Sequence, residues 1–182
     1  MQTLLLVNCM NDVIFEIQDK AKLLPTNKIF KAVIFDCDGV LVDSEPVYAE
    51  AFAQTLSQFG CPLPAAFLQR ALNGKSVNDC YAWLAKHWQF TVTPRFEKTL
   101  FANTDRLIPI MLKPIEQASL VVESVCVLKA VASNGKRNSV ETNLARCGLG
   151  HFFGQHIYTA NQVAKPKPAP DVYLLAAKQL GV

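Results

Sequence analysis

Three short stretches of this chain carry residue types that can do chemistry, and each follows an apolar run. Asp36-Cys37-Asp38-Gly39 comes after Lys31-Ala32-Val33-Ile34-Phe35, and Ser133-Asn134-Gly135 comes after Val127-Leu128-Lys129-Ala130-Val131-Ala132. Lys165-Pro166-Lys167-Pro168-Ala169-Pro170-Asp171 comes after His156-Ile157-Tyr158-Thr159-Ala160. Two carboxylates two residues apart can take different tasks when the chain turns beside them, and Gly39 supplies the turn. One carboxylate can attack a phosphorus atom. The other can give a proton to a leaving oxygen and take one from an attacking water. Phosphoryl transfer also needs oriented donors and cationic screening at the transition state. A serine hydroxyl, backbone N–H groups and a lysine ammonium supply these, and Mg²⁺ on hard oxygen ligands completes the set.

These stretches must be held by elements that bring distant residues together. The two longer apolar runs are short, β-branched and followed by polar or glycine residues, which predicts buried strands; residues 156–160 predict a shorter one. Val140, Leu144 and Cys147 repeat at helical spacing before Gly148, and Asp171 opens a capped amphipathic helix that ends near Gly181. Between the first two strands lies a near-purely helical stretch. Tyr48, Phe52, Leu56 and Phe59 mark one face; Cys80, Tyr81, Leu84 and Trp88 mark a second, behind a capping box at Ser76 and Asp79. Phe96, Leu100 and Leu107 mark a third after Pro94. The expected class is α/β: a Rossmann-like parallel sheet core with an inserted α-helical cap. Its parts are an N-terminal extension over 1–29, a core over 30–45 and 110–182, and a cap over 46–109. In such sheets ligands bind at the carboxyl ends of the strands, where all three polar stretches fall.

Composition narrows the classes of function. The chain has 182 residues, 51% hydrophobic and 18% charged, so it can bury a sizeable core and is not a disordered segment. No apolar run approaches the length of a membrane span, and the opening residues make a poor signal peptide. A formal charge of +3 without a Lys/Arg block gives no argument for nucleic acid. Six dispersed cysteines without a Cys-x-x-Cys pair read as buried thiols in a reducing, cytoplasmic compartment. The three histidines form no zinc cluster.

Asp36-Cys37-Asp38-Gly39-Val40-Leu41-Val42-Asp43-Ser44-Glu45 resembles the first motif of the haloacid dehalogenase-like hydrolases, most closely the branch of β-phosphoglucomutase and phosphoglycolate phosphatase with a helical cap. Val131-Ala132-Ser133-Asn134-Gly135 is similar to the second motif, and Lys167-Pro168-Ala169-Pro170-Asp171-Val172-Tyr173 to the third. The resemblance runs from about residue 30 to the last. It implies that Asp36 is the nucleophile and a magnesium ligand, and that Asp38 is the general acid/base with its carbonyl as a second ligand. It implies that Ser133 bonds the transferring phosphoryl group with Asn134 nearby, and that Lys167, rather than the neighbouring Lys165, pairs with Asp36. The acidic residue at Asp38 favours phosphate esters over haloacids. In the cap, Leu72-Asn73-Gly74-Lys75-Ser76 resembles the substrate-facing loop, which makes Gly74, Lys75 and Ser76 substrate-binding expectations. The implied activity is a Mg²⁺-dependent phosphatase or phosphomutase acting on a small phosphorylated metabolite through an aspartyl phosphate, with neither nucleic acid nor membrane as partner.

The chain departs from that family at both ends. The fourth motif, a pair of acids after a further strand, is missing: the sole acidic residue after Lys167 is Asp171. The expectation is therefore a truncated sheet, an incomplete magnesium site and a bare edge beside the strand that bears Asp36. The alternative function is an impaired relative that binds phosphate, or self-associates as a homo-oligomer through that edge. At the other end, residues 3–9 and 13–17 read as strands joined by turn formers. They are expected to cover the bare edge within the chain or across a dimer. In a bolder version Asp12 or Glu16 replaces the absent acid.

Overall fold

Ala32, Val33, Ile34 and Phe35 are each at most 6% exposed, a run buried on both faces as a central strand requires. The computed structural model describes residues 4–8, 15–16 and 30–182. Strands β1 (Leu4–Asn8), β2 (Phe15–Glu16) and β3 (Phe30–Phe35) open the chain. The short β4 (Val42–Asp43) precedes helices α1 (Glu45–Gln58), α2 (Ala65–Leu72), α3 (Val77–Trp88) and α4 (Pro94–Met111). Then come β5 (Lys113–Pro114), α5 (Ala118–Ser124), β6 (Leu128–Ser133), α6 (Arg137–Arg146), β7 (Ile157–Thr159) and α7 (Asp171–Leu180).

The main sheet has the order β2-β1-β3-β6-β7. β3, β6 and β7 run parallel, with Phe35 opposite Val131 and Ser133 opposite Thr159, so the three polar stretches leave the sheet at one end. The extension pairs antiparallel to β3 from Leu4 opposite Phe35 to Asn8 opposite Phe30, and β2 pairs on its outer side. The edge beside the Asp36 strand is thus covered within the chain. Asp12 lies outside the described residues.

The contact pattern divides the chain into Met1–Asp43 with Lys113–Val182, and Ser44–Leu112. In the first unit, Val172, Ala176 and Leu180 recur every four residues along α7 and pack on Ala32, Ile34, Ala130 and Ala132 of the sheet. Phe35 meets Phe153 edge-on with ring centroids 5.7 Å apart. β4 and β5 form a separate two-stranded ribbon, Val42 opposite Pro114 and Asp43 opposite Lys113.

The second unit is four helices around Val47, Ala51, Phe52, Leu56, Leu68, Leu84, Phe96 and Leu107. Thr93 caps α4 by accepting the Phe96 N–H at 3.2 Å, and Ser76 caps α3 by accepting the Asp79 N–H at 3.2 Å. A buried bond from Asn103 Nδ2 to Thr55 Oγ1, 2.9 Å, joins α4 to α1. Trp83 and Trp88 both pack against Phe67, at 6.0 and 6.2 Å between centroids. Among the described residues no helix is long and apolar enough to cross a membrane.

Candidate active site

The turn after β3 is built by one carbonyl. Cys37 O accepts from Leu41 N–H at 2.9 Å and Val42 N–H at 3.1 Å, while Gly39 N–H donates to Val42 O at 2.9 Å. Gly39 sits at φ +73°, where a side chain would be strained. Burial alternates along the stretch: Cys37 is fully buried, whereas Asp36 and Asp38 are partly exposed. Both acids therefore leave the core at the carboxyl end of the sheet. The thiol between them is inert: burial first, and then the Asp38 and Asp36 charges, push the Cys37 pKa well above its ordinary value.

Lys167 reaches this point from the segment before α7. Its Nζ lies 2.6 Å from Asp36 Oδ1, with side-chain exposures of only 14% and 19%. It also donates to Ala132 O at 3.1 Å and stands 5.5 Å from the centroid of the Tyr173 ring. Those two acceptors use two of the three N–H donors of the ammonium. Asp36 Oδ1 accepts a further bond from Cys37 N–H at 2.7 Å. Of the two competing lysines, Lys167 makes the ion pair, and Lys165 is exposed.

Ser133, at the end of β6, is 1% exposed, and its Oγ accepts the Gly135 N–H at 3.0 Å. Gly135 supplies the room beside it. A Cβ there would stand 3.0 Å from Val140 Cγ2, 3.3 Å from Ser133 Oγ and 3.9 Å from Asp38 Oδ2. Ser133 and Asp38 thus converge on one small space that a side chain at Gly135 would fill. Asn134 is exposed and turns its amide to the Lys167 main chain, donating to its carbonyl at 3.0 Å and accepting its N–H at 2.9 Å.

Asp36, Asp38, Ser133, Asn134 and Lys167 are all gathered at this sheet end. The other expected substrate contacts belong to the helical unit: Gly74 and Lys75 are exposed in the turn after α2, and Ser76 is the α3 cap. Asp171 stands in the first turn of α7 rather than at its cap, which is Pro170. Three contributors escaped the sequence reading: the Ala132 carbonyl, the Tyr173 ring and the space at Gly135. All three stand within the motifs, but residue type alone gives none of them these roles.

The donor chemistry suits magnesium, a hard cation that keeps several waters and takes one or two carboxylates together with substrate phosphate. Asp36 and Asp38 offer oxygens of that kind. Among the described residues no group of three His, Cys, Asp or Glu is gathered to hold a metal, so they build no closed side-chain cage.

Known proteins share the sequence pattern and the fold. A 6-phosphogluconate phosphatase of Escherichia coli is 26% identical over 84% of this chain and 69% of its own length. A phosphorylated carbohydrates phosphatase of Thermotoga maritima is 29% identical over 84% of this chain and 71% of its own. The crystal structure of a hydrolase of the same family from Deinococcus radiodurans, with bound phosphate and sodium, superposes with a TM-score of 0.67 at 31% identity. It covers 82% of this chain and 66% of that one. Residues 30–182 match the family described as haloacid dehalogenase-like hydrolase, and the chain belongs to that family.

Proposed function

We propose that the protein is a phosphatase for small phosphorylated metabolites, with phosphorylated sugars as the substrate class, working through an aspartyl phosphate on Asp36. The observation that carries this reading is the 2.6 Å pair of Lys167 and Asp36 beside the space shared by Ser133 and Asp38. The names of the two phosphatase relatives support the substrate class.

In the first step a carboxylate oxygen of Asp36 attacks phosphorus and the ester P–O bond breaks, while the carboxyl of Asp38 gives its proton to the leaving alkoxide. In the second, Asp38 takes a proton from water as that water attacks phosphorus. The P–O bond to Asp36 then breaks, releasing inorganic phosphate and restoring the carboxylate. The remaining N–H of Lys167 and the Ser133 hydroxyl hold phosphoryl oxygens, and Lys167 also keeps Asp36 aimed. Asp36 and the main-chain carbonyl of Asp38 would hold magnesium, which when bound supplies further screening of phosphoryl charge. Lys75 of the helical unit is proposed to contact the distal part of the substrate, with Gly74 and Ser76 shaping its turn.

Phosphate release from p-nitrophenyl phosphate and a panel of sugar phosphates, with and without Mg²⁺, tests the proposal. Turnover by the full chain that vanishes in Asp36→Asn is the expected result. A folded chain that binds inorganic phosphate but hydrolyses none of these esters would replace this reading with a phosphate-binding one.

A further inference from the structure

We infer that Asn134 is a positioning residue for Lys167, its amide fixing where the ammonium stands. The inference rests on the role proposed above for Lys167 at the phosphoryl site.

Asn134 is exposed, and an exposed amide ordinarily has water for a partner. Here both ends of the amide go to one residue 33 positions away in sequence. Nδ2 donates to Lys167 O at 3.0 Å, and Oδ1 accepts Lys167 N–H at 2.9 Å. The two bonds close a ring, so they fix the orientation of the Lys167 main chain as well as its distance. The side chain of the same residue reaches Asp36 Oδ1 at 2.6 Å and Ala132 O at 3.1 Å, along the Tyr173 ring at 5.5 Å. Lysine carries its charge on a flexible four-carbon stem, so a defined ammonium position needs a defined Cα as well as defined partners. The segment from Val163 to Pro170 lies outside helix and strand, and in it only Lys167 is tied through both main-chain groups to a side chain of the β6 end.

The partner's place in the chain matters as much as the bonds. Asn134 follows Ser133, so one residue links the hydroxyl and the ammonium that are proposed to hold the same phosphoryl group. One Nδ2 donor and one Oδ1 acceptor site of the amide are thus committed to the Lys167 main chain. A displacement of the ammonium by roughly an ångström is enough to cost about a hundredfold in rate.

The test uses the full chain with Asn134→Ala, Asn134→Asp, Lys167→Ala and the Asn134→Ala/Lys167→Ala double variant. Turnover of p-nitrophenyl phosphate and hydrogen exchange of the Lys167 amide are both measured. The expected result is a fall in kcat of about ten- to a hundredfold in Asn134→Ala with KM little changed. No further loss is expected when Asn134→Ala is added to Lys167→Ala, because its effect passes through the lysine. The Lys167 amide exchanges at least about tenfold faster in Asn134→Ala. Asn134→Asp, which keeps the acceptor for that N–H, retains more of the protection. Losses that multiply in the double variant, or a Lys167 amide equally protected without Asn134, would overturn the inference. Absence of turnover in the unsubstituted chain would count against the phosphatase reading alone. Exchange at Lys167 would then decide the clamp by itself.

Discussion

Gly135→Ala places a methyl group against the β6 end and α6 at once. The added methyl would stand 3.0 Å from Val140 Cγ2 and 3.3 Å from Ser133 Oγ. Carbon–carbon contacts are optimal near ~3.5–4.0 Å, so the first of these overlaps by roughly half an ångström or more. Val140 cannot yield easily: it is 2% exposed, sits on α6 and is β-branched, with few rotamers open to it. Gly135 is not among the glycines with positive φ, so the destabilisation comes from steric crowding and backbone strain adds nothing. Overpacking of this kind costs about 1–3 kcal/mol, and each kcal/mol lowers the melting temperature of a chain this size by roughly 2–4 °C. The contact with Ser133 acts on the chemistry instead. Displacing its hydroxyl from the phosphoryl group should lower kcat by about tenfold, up to the ~10²–10³ that follows complete loss of such a donor.

Val140→Ala separates the two effects. It removes the Val140 clash and leaves the Ser133 contact untouched. In the double variant the melting temperature should lie above the value expected from adding the two single losses, while turnover stays as low as in Gly135→Ala. Thermal melting and steady-state hydrolysis of p-nitrophenyl phosphate read the two arms. A double variant that regains turnover, or a Gly135→Ala protein with unchanged melting and unchanged rate, would refute the reasoning.

Three further outcomes are expected. Lys167→Met leaves a largely buried Asp36 carboxylate without its cation and should cost about 1–3 kcal/mol by urea denaturation. Adding Asp36→Asn should recover part of that loss, and no recovery would place the stabilising contacts of Lys167 elsewhere. Deleting residues 1–28 removes the strand paired to β3 and should give aggregation or a lower melting temperature; a soluble variant of equal stability would show that β3 does not need that partner. Burial raises the Cys80 thiol from 9.0 to about 11, so above pH 9 the unfolded chain loses this proton while the folded chain keeps it. Stability should therefore fall as pH rises from about 9 to 11, and the urea midpoint of Cys80→Ala should fall less steeply over that range.

Much of the fold is legible because its signals are local. A β-branched run stopped by Asp36 marks β3, and the spacing of Val172, Ala176 and Leu180 marks the face of α7 that meets the sheet. Ser76 and Asp79 announce the start of α3, and the hydrogen bond is where that spacing puts it. The apolar runs of the extension, joined by turn formers, predict strands, and the register of β1 on β3 shows the pairing within the chain. The β4–β5 ribbon is invisible by contrast, since two residues per strand, one of them Pro114, carry no period. The end of α5 is equally hidden. Lys129 Nζ donates to Val122 O at 3.0 Å and Val125 O at 2.9 Å, a contact made by tertiary placement rather than by capping type. At the site, residue types and strand ends mark the three stretches that hold Asp36, Asp38, Ser133 and Lys167, and the family resemblance singles out Lys167 over Lys165. The Asn134–Lys167 clamp, the Ala132 acceptor and the space at Gly135 are distances across 33 or more residues or a missing atom, and no local pattern encodes them.

Transfer of the phosphoryl group from substrate to Asp36 is tested by acid quench of the working enzyme followed by peptide mapping. With p-nitrophenyl phosphate, whose leaving group departs without a proton, Asp38→Asn still forms the intermediate but cannot draw the proton from the hydrolytic water, and should let it accumulate. The mass of one phosphoryl group is expected on the peptide containing Asp36, lost on treatment with hydroxylamine and absent from Asp36→Asn. Turnover by an enzyme whose Asp36 peptide never carries that mass would contradict it.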